Sequence, residues 1–513
     1  MMNNDYEIDQ SDLSLGNLAS KNMKKLHLNN PSQEDNVSMA STPSLQNVFG
    51  QQPSMMTRAQ SGSTYNTLAP IKFPNMLPID DGNENLVSDS TLEAMYNKTN
   101  QVMTLQSYYL AYKNVLQNVY KAFYLNPSNA NYQSFILDNN SIYDMLKLNV
   151  ISNNVNNQTN NSNVLVLYTG LNSNKFLQAF ENKSVDVMFS NIGTNKFDLD
   201  QLKFLITSNK YKIICFTYVD ESIGVKISID ETYNFIKQYS PDSLLVMDCN
   251  GAISSEPMNL VDYPFDLVFD DSNDLNGPQG MTFGCFSDRF IEYLNILNDV
   301  GDYHVSKLAN LKSYIKSWKL IESYDEDFDL QSNLKVEGND EIDNALVKVS
   351  KVLLLGFEEA LISFINTNLD IYYTKCYELS EFLKTSIQAH LNLNLVTDYK
   401  EGEHSLVNGL TCIQYLNTDL LVNYLFNSFN LSVSTGKITN MKLKTSLSKV
   451  DIKYFRIKNI QPIIVRDFIK FGGKADDYPE YKMLISILKK SIESVDYMAG
   501  KKGYSSVSIA ETM

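Results

Sequence analysis

The residue types that do chemistry are present in this chain, but their familiar arrangements are missing. The histidines His27, His304, His390 and His404 lie far apart, outside any ligand or triad spacing. The cysteines Cys215, Cys249, Cys285, Cys376 and Cys412 form no C-x-x-C pair and sit mostly among apolar residues, which reads as buried, reduced thiols. There is no G-x-x-x-x-G-K-[ST], no G-x-G-x-x-G and no H-E-x-x-H. What remains is a set of polar segments, each following an apolar run of strand length: Tyr168-Thr169-Gly170, Thr217 to Val225, Asp248, and Asp271 to Gly280. In an open α/β sheet, ligands bind at the carboxyl ends of strands, so these segments are expected to face one crevice.

The elements that must position them can be read from periodicity. Short apolar runs at 164–167, 185–189, 213–216, 244–247, 267–269 and 281–286 predict strands. Helices alternate with them: Asp198 caps one reaching about 208, and the capping box Ser228-Ile229-Asp230-Glu231 opens another to about 239. Upstream, Tyr109, Tyr112, Leu116, Tyr120 and Phe123 recur at helical spacing and predict a helix over 106–123. The pattern predicts an α/β fold: a large domain with a mainly parallel sheet flanked by helices. Downstream, helices over 343–366, 370–390, 418–428, 463–470 and 480–494, with strands at 410–415, 431–434 and 454–457, predict a smaller C-terminal α+β domain.

The expected organisation is a disordered Ser/Asn/Gln-rich arm (1–68), a large domain (69–310), a connecting region (311–342), a small domain (343–495) and a loose tail (496–513). The connecting region holds the only tryptophan, Trp318, and an acidic run from Glu322 to Asp327 that reads as a solvated linker. In the arm, Ser41-Thr42-Pro43-Ser44 and Arg58-Ala59-Gln60-Ser61 could accept phosphate, although short motifs of this kind are common by chance.

Lys+Arg is 43 against 59 Asp+Glu, a formal net charge of −16, which argues against nucleic acid or an anionic membrane as the main partner. No apolar run approaches the ~18 residues of a membrane helix. The first residues show neither a signal core nor an Arg-rich import helix, and Glu511-Thr512-Met513 is not a peroxisomal address. The expected location is the cytoplasm, with the nucleus as the alternative.

The order of segments resembles the alanine–glyoxylate aminotransferase branch of the class V, fold-type-I enzymes that depend on pyridoxal phosphate (PLP). The resemblance covers about residues 70–490. It is carried by Phe135-Ile136-Leu137, Val164 to Gly170, Thr217 to Val225 (the family's T-H-x-[DE]-T-S-T-G-V), Met247-Asp248, Gly277-Pro278-Gln279-Gly280 and Phe455-Arg456-Ile457. It implies a PLP-transferase fold, a dimer, a lysine bonded to the cofactor aldehyde, a carboxylate on the pyridinium nitrogen, and amino transfer from alanine to glyoxylate.

Residue by residue, this sequence departs from that pattern at the cofactor. Asp248 matches the family's carboxylate. The lysine expected just before the G-x-P-x-G turn falls on Asn273 or Asp274, depending on where the gap is placed, and no lysine occurs between Lys237 and Lys307. The glycine turn that holds the phosphate at a helix N-terminus is replaced by Asp138-Asn139-Asn140-Ser141. The stacking aromatic is Asn172, the T-S-T contact reads Glu221-Ser222-Ile223, and its preceding histidine is Tyr218. Arg456 matches the arginine that clamps a substrate carboxylate, though it could equally pair with a local acid such as Asp451.

Asp248, Ser222, Ser141 and Asn172 are therefore read as vestigial cofactor contacts and Arg456 as a vestigial carboxylate contact, with no catalytic lysine and no metal site. The expectation is a pseudoenzyme without a cofactor, acting in binding, regulation or scaffolding. It would form a homodimer, or a heterodimer with an aminotransferase-fold paralogue, and could engage protein partners through its arm. The alternative is an active PLP-dependent alanine–glyoxylate transaminase.

Overall fold

The structure is a computed structural model that describes residues 87–98, 104–128, 131–138, 141–151, 164–180, 185–190, 196–300, 309–323, 349–396, 406–429, 431, 433–442, 449–458 and 460–501. The expected arm, the stretch 324–342 and the last residues of the tail, 502–513, lie outside the described residues.

The large domain runs α1 (Asp89–Glu93), α2 (Leu105–Ala122), β1 (Tyr132–Asp138), α3 (Ser141–Leu146), β2 (Val164–Tyr168), α4 (Asn174–Ala179), β3 (Asp186–Phe189) and α5 (Leu199–Asn209). It continues through β4 (Ile213–Thr217), β5 (Val219–Asp220), β6 (Val225–Lys226), α6 (Ile229–Tyr239), β7 (Leu244–Asp248), β8 (Leu267–Asp271), β9 (Met281–Ser287), α7 (Asp288–Val300) and α8 (Leu311–Glu322). Seven strands form one sheet in the order β1-β9-β8-β7-β4-β2-β3. From β3 to β8 neighbouring strands are parallel, while β9 runs antiparallel to both β8 and β1.

The sequence explains this arrangement. Helices cover both faces, so the central strands need apolar residues at every position rather than at alternate ones. Every residue of β4, β7 and β9 is accordingly buried. The helix starts are set by side chains: Asp198 accepts from the amides of Asp200 and Gln201 at 3.0 and 3.1 Å, and Ser228 from that of Glu231 at 3.3 Å. The register then aligns the ends that matter, with Thr217 of β4 beside Asp248 of β7.

The connecting region expected at 311–342 begins inside the large domain. Leu311, Ile315, Trp318 and Ile321 recur at helical spacing and bury one face of α8. Trp318 is fully buried, with its ring 5.5 Å from Phe135 and 6.2 Å from Phe286. Glu322, read as the start of a solvated run, accepts hydrogen bonds from Ser134 Oγ (2.9 Å) and Tyr120 Oη (3.3 Å).

Next comes α9 (Lys351–Ile365), whose Phe357 ring lies 5.0 Å from that of Phe283 on β9, and then the elements of the smaller sheet region: α10 (Leu369–Leu391), β10 (Leu410–Gln414), α11 (Thr418–Phe429), β11 (Ser434–Lys442), β12 (Lys449–Lys458), α12 (Pro462–Phe471) and α13 (Pro479–Lys501). The antiparallel sheet of this region has the order β10-β12-β11. The strand expected at 431–434 starts only at Ser434. Leu431 and Val433 are buried before the strand begins, and the Leu431 amide turns back to donate to the carbonyl of Leu425. No single helix among the described residues is long and apolar enough to cross a membrane.

Candidate functional site

At the carboxyl ends of β4, β7 and β8 the register sets Thr217 beside Asp248 and Asp248 beside Phe269, and the polar residues that follow these strands gather around Asp248. Asp248 is 0% exposed. Its Oδ2 accepts from Tyr143 Oη at 2.5 Å and its Oδ1 from the amide of Asn250 at 2.9 Å. Tyr143 comes from α3, with its ring edge-on to Phe176 and Phe269 at 5.3 and 5.2 Å. Burial raises the Asp248 carboxyl above the usual carboxylate range, opposed by the Lys175 ammonium and by the Tyr143 hydroxyl. Burial, and then the Asp248 charge, raises the Tyr143 hydroxyl well above its ordinary value, so it remains a donor.

The turn after β8 adds more acid. Burial, and next the charge of Asp274, pushes the carboxyl of Asp270, on β8, far up, while its Oδ1 accepts from the amide of Asp271 at 2.7 Å and its Oδ2 from that of Ile253 at 3.2 Å. Asp274 accepts from the amide of Gly251 and lies 3.8 Å from Lys458 Nζ. Asp271 accepts from Thr282 Oγ1 at 2.9 Å, and burial pushes its carboxyl up to about 6. Lys175, from α4, balances this group. Burial disfavours its charge, yet Asp248, Asp271, Glu221 and Asp274 outweigh that and hold its ammonium above the ordinary lysine range.

The remaining predicted residues are tied to protein groups. Asn172 Nδ2 donates to the carbonyl of Val219 at 3.3 Å. Ser222 donates to Asp220 Oδ1 through its amide (2.9 Å) and its hydroxyl (2.6 Å). Ser141 opens α3. Arg456, on β12, donates from Nε to Ser434 Oγ (2.9 Å) and from Nη1 to the carbonyl of Glu221 (3.2 Å). The side chain of its alternative partner, Asp451, is outside the described ones. The Asp220 carboxylate fills the space beside Gly170, and the Glu221 side chain fills the space beside Gly251. Asn139 and Asn140 of the phosphate-turn segment are outside the described residues.

This geometry can be set against known proteins. Residues 146–319 match the aminotransferase class-V family. A curated relative, alanine–glyoxylate aminotransferase 1 of Saccharomyces cerevisiae, is 23% identical over 256 residues, covering 49% of this chain and 61% of that protein's length. The ureidoglycine–glyoxylate aminotransferase of Bacillus subtilis superposes with a TM-score of 0.59 at 13% identity, covering 82% of this chain and 93% of that one. An alanine–glyoxylate aminotransferase from Nostoc sp. superposes with a TM-score of 0.58 at 15% identity, covering 84% and 100%. The resemblance stated from the sequence and the α/β fold it implies are both borne out.

Of the residues singled out in the sequence, Asp248, Asp274, Ser222, Asn172 and Arg456 have the partners given above, and Ser141 opens α3. The sequence reading missed Tyr143, Lys175 and Lys458. Lys458 was within reach of inference, because it lies two positions beyond Arg456 on the same strand and so on the same face. Tyr143 and Lys175 had no comparable signal, since each lies in a six-residue helix soon after a strand and local spacing does not record which acid its side chain meets.

Proposed function

We propose that this chain is a non-catalytic member of the class-V aminotransferase fold that acts as a binding, regulatory or scaffold protein. The observation that carries this reading is the replacement of the Schiff-base lysine by Asn273 or Asp274, the latter a buried acid hydrogen-bonded to the Gly251 amide. The residues present do not fit PLP. Both oxygens of Asp248 are already engaged, and the stacking position is an asparagine committed to a backbone carbonyl. An anionic phosphate would enter a crevice lined by Asp248, Asp271, Asp274 and Glu221.

We further propose that the protein pairs with itself or with an aminotransferase-fold paralogue in the cytoplasm or nucleus, with residues 1–68 available to other proteins. The test of the main reading is an amino-transfer assay on the full chain with PLP, alanine and glyoxylate. Pyruvate and glycine are expected to stay at background, and turnover above it would establish the alanine–glyoxylate transaminase instead. Affinity capture with and without residues 1–68 tests the arm, which is expected to change the set of proteins recovered.

A further inference from the structure

Two loops of the large domain frame the crevice: the β5–β6 hairpin with its turn, and the segment after β7. Their backbone carbonyls are met by small-domain donors. Arg456 Nη1 reaches the carbonyl of Glu221 at 3.2 Å, and Tyr454 Oη that of Ser222 at 2.7 Å. The amide of Val407 donates to Gly224 at 3.0 Å. Tyr373 Oη donates to the carbonyl of Ile253 at 2.9 Å, and Tyr372 Oη to that of Ser254 at 2.7 Å.

A charged contact joins the two domains at the crevice itself. Lys458 Nζ lies 3.8 Å from Asp274 Oδ1, at one of the two positions to which the missing lysine maps. Tyr454, Arg456 and Lys458 alternate along β12, so one face of a single strand supplies three of these contacts. Asp274 passes the constraint on by accepting from the Gly251 amide in the second loop.

We propose that this seam is a permanent clasp, in which β12 and the Asp274–Lys458 ion pair hold the small domain closed on the crevice and fix both loops in one conformation. A crevice that turns over substrate has to open and close. Here Asp274 and the carbonyls of Glu221 and Ser222 are spent on contacts to β12, so the molecule presents one constant surface to whatever it contacts. The clasp concerns domain motion and not lysine chemistry, so its failure and the failure of the non-catalytic reading are separate outcomes.

The test is native-state hydrogen exchange on the full chain, comparing wild type with Lys458→Met, Asp274→Asn, the double variant and Tyr454→Phe. The reporters are the amides of Gly224, Gly251, Ala252 and Ile253, and the controls are the amides of β4 and β7. Lys458→Met is expected to speed the reporters about tenfold with the controls unchanged. The double variant is expected to exchange no faster than Asp274→Asn alone, because Lys458 acts on the reporters through Asp274. Tyr454→Phe removes one hydroxyl without a change of charge, and is expected to speed Gly224 alone. Unchanged reporters, reporters and controls accelerating together, or strictly additive single variants would each overturn the clasp.

Discussion

Along β4 and β7 every side chain is buried, and all but the two terminal ones, Thr217 and Asp248, are apolar. Immediately beyond those ends the chain enters a crevice with Asp220, Glu221, Asp270, Asp271 and Asp274, balanced by Lys175 and Lys458. The sheet interior depends on volume and apolarity, which many residue sets satisfy. The crevice depends on particular groups at particular atoms, where one substitution changes the chemistry outright. A chain can therefore keep the sheet of solved aminotransferases at 13–15% identity to them.

The contrast can be broken from either side. The largest loss is expected in the scaffold: Trp318→Ala removes a fully buried ring packed on Phe135 and Phe286, and should cost about 3–5 kcal/mol in denaturant unfolding. In the crevice, Tyr143→Phe keeps the ring and removes only the hydroxyl that meets Asp248, at about 1–3 kcal/mol. A Tyr143→Phe cost equal to that of Trp318→Ala would erase the distinction between the two regions.

Acidity sharpens the comparison. The folded Asp271 carboxyl is raised from 3.8 to about 6. The folded chain therefore holds that proton more tightly than the unfolded one, so its stabilising contribution is present below pH ~4 and lost as pH rises through ~6. The unfolding free energy measured across this window should fall with pH, by at most about 1.4 kcal/mol per pH unit from this group. Asp271→Asn should flatten that part of the profile. The smallest effect is expected from Arg456→Lys, about 1 kcal/mol or less in unfolding, because the side chain is half-buried and its contacts are two neutral acceptors.

The sheet was legible because burial on both faces writes itself as uninterrupted apolar runs, and α5 and α6 because their caps are local. Trp318 marks the limit of local signals: its helix is written in the spacing of 311–321, but the acidic run that follows carries the composition of a solvated segment, and the buried partners of Glu322 are 188 and 202 residues away in sequence. The crevice was legible only through the order of its segments. Tyr143 meets Asp248 across 105 residues, and no pattern of spacing records such a contact.

The decisive measurement is covalent capture. Full-length protein would be incubated with PLP, reduced with borohydride, digested and mapped by mass spectrometry, with an excess of unrelated surface lysines as the internal background. The account predicts no pyridoxyl label above that background on Lys175, Lys458 or any other lysine of the crevice. Stoichiometric label on one of them would contradict it and return the chain to the enzymes it resembles.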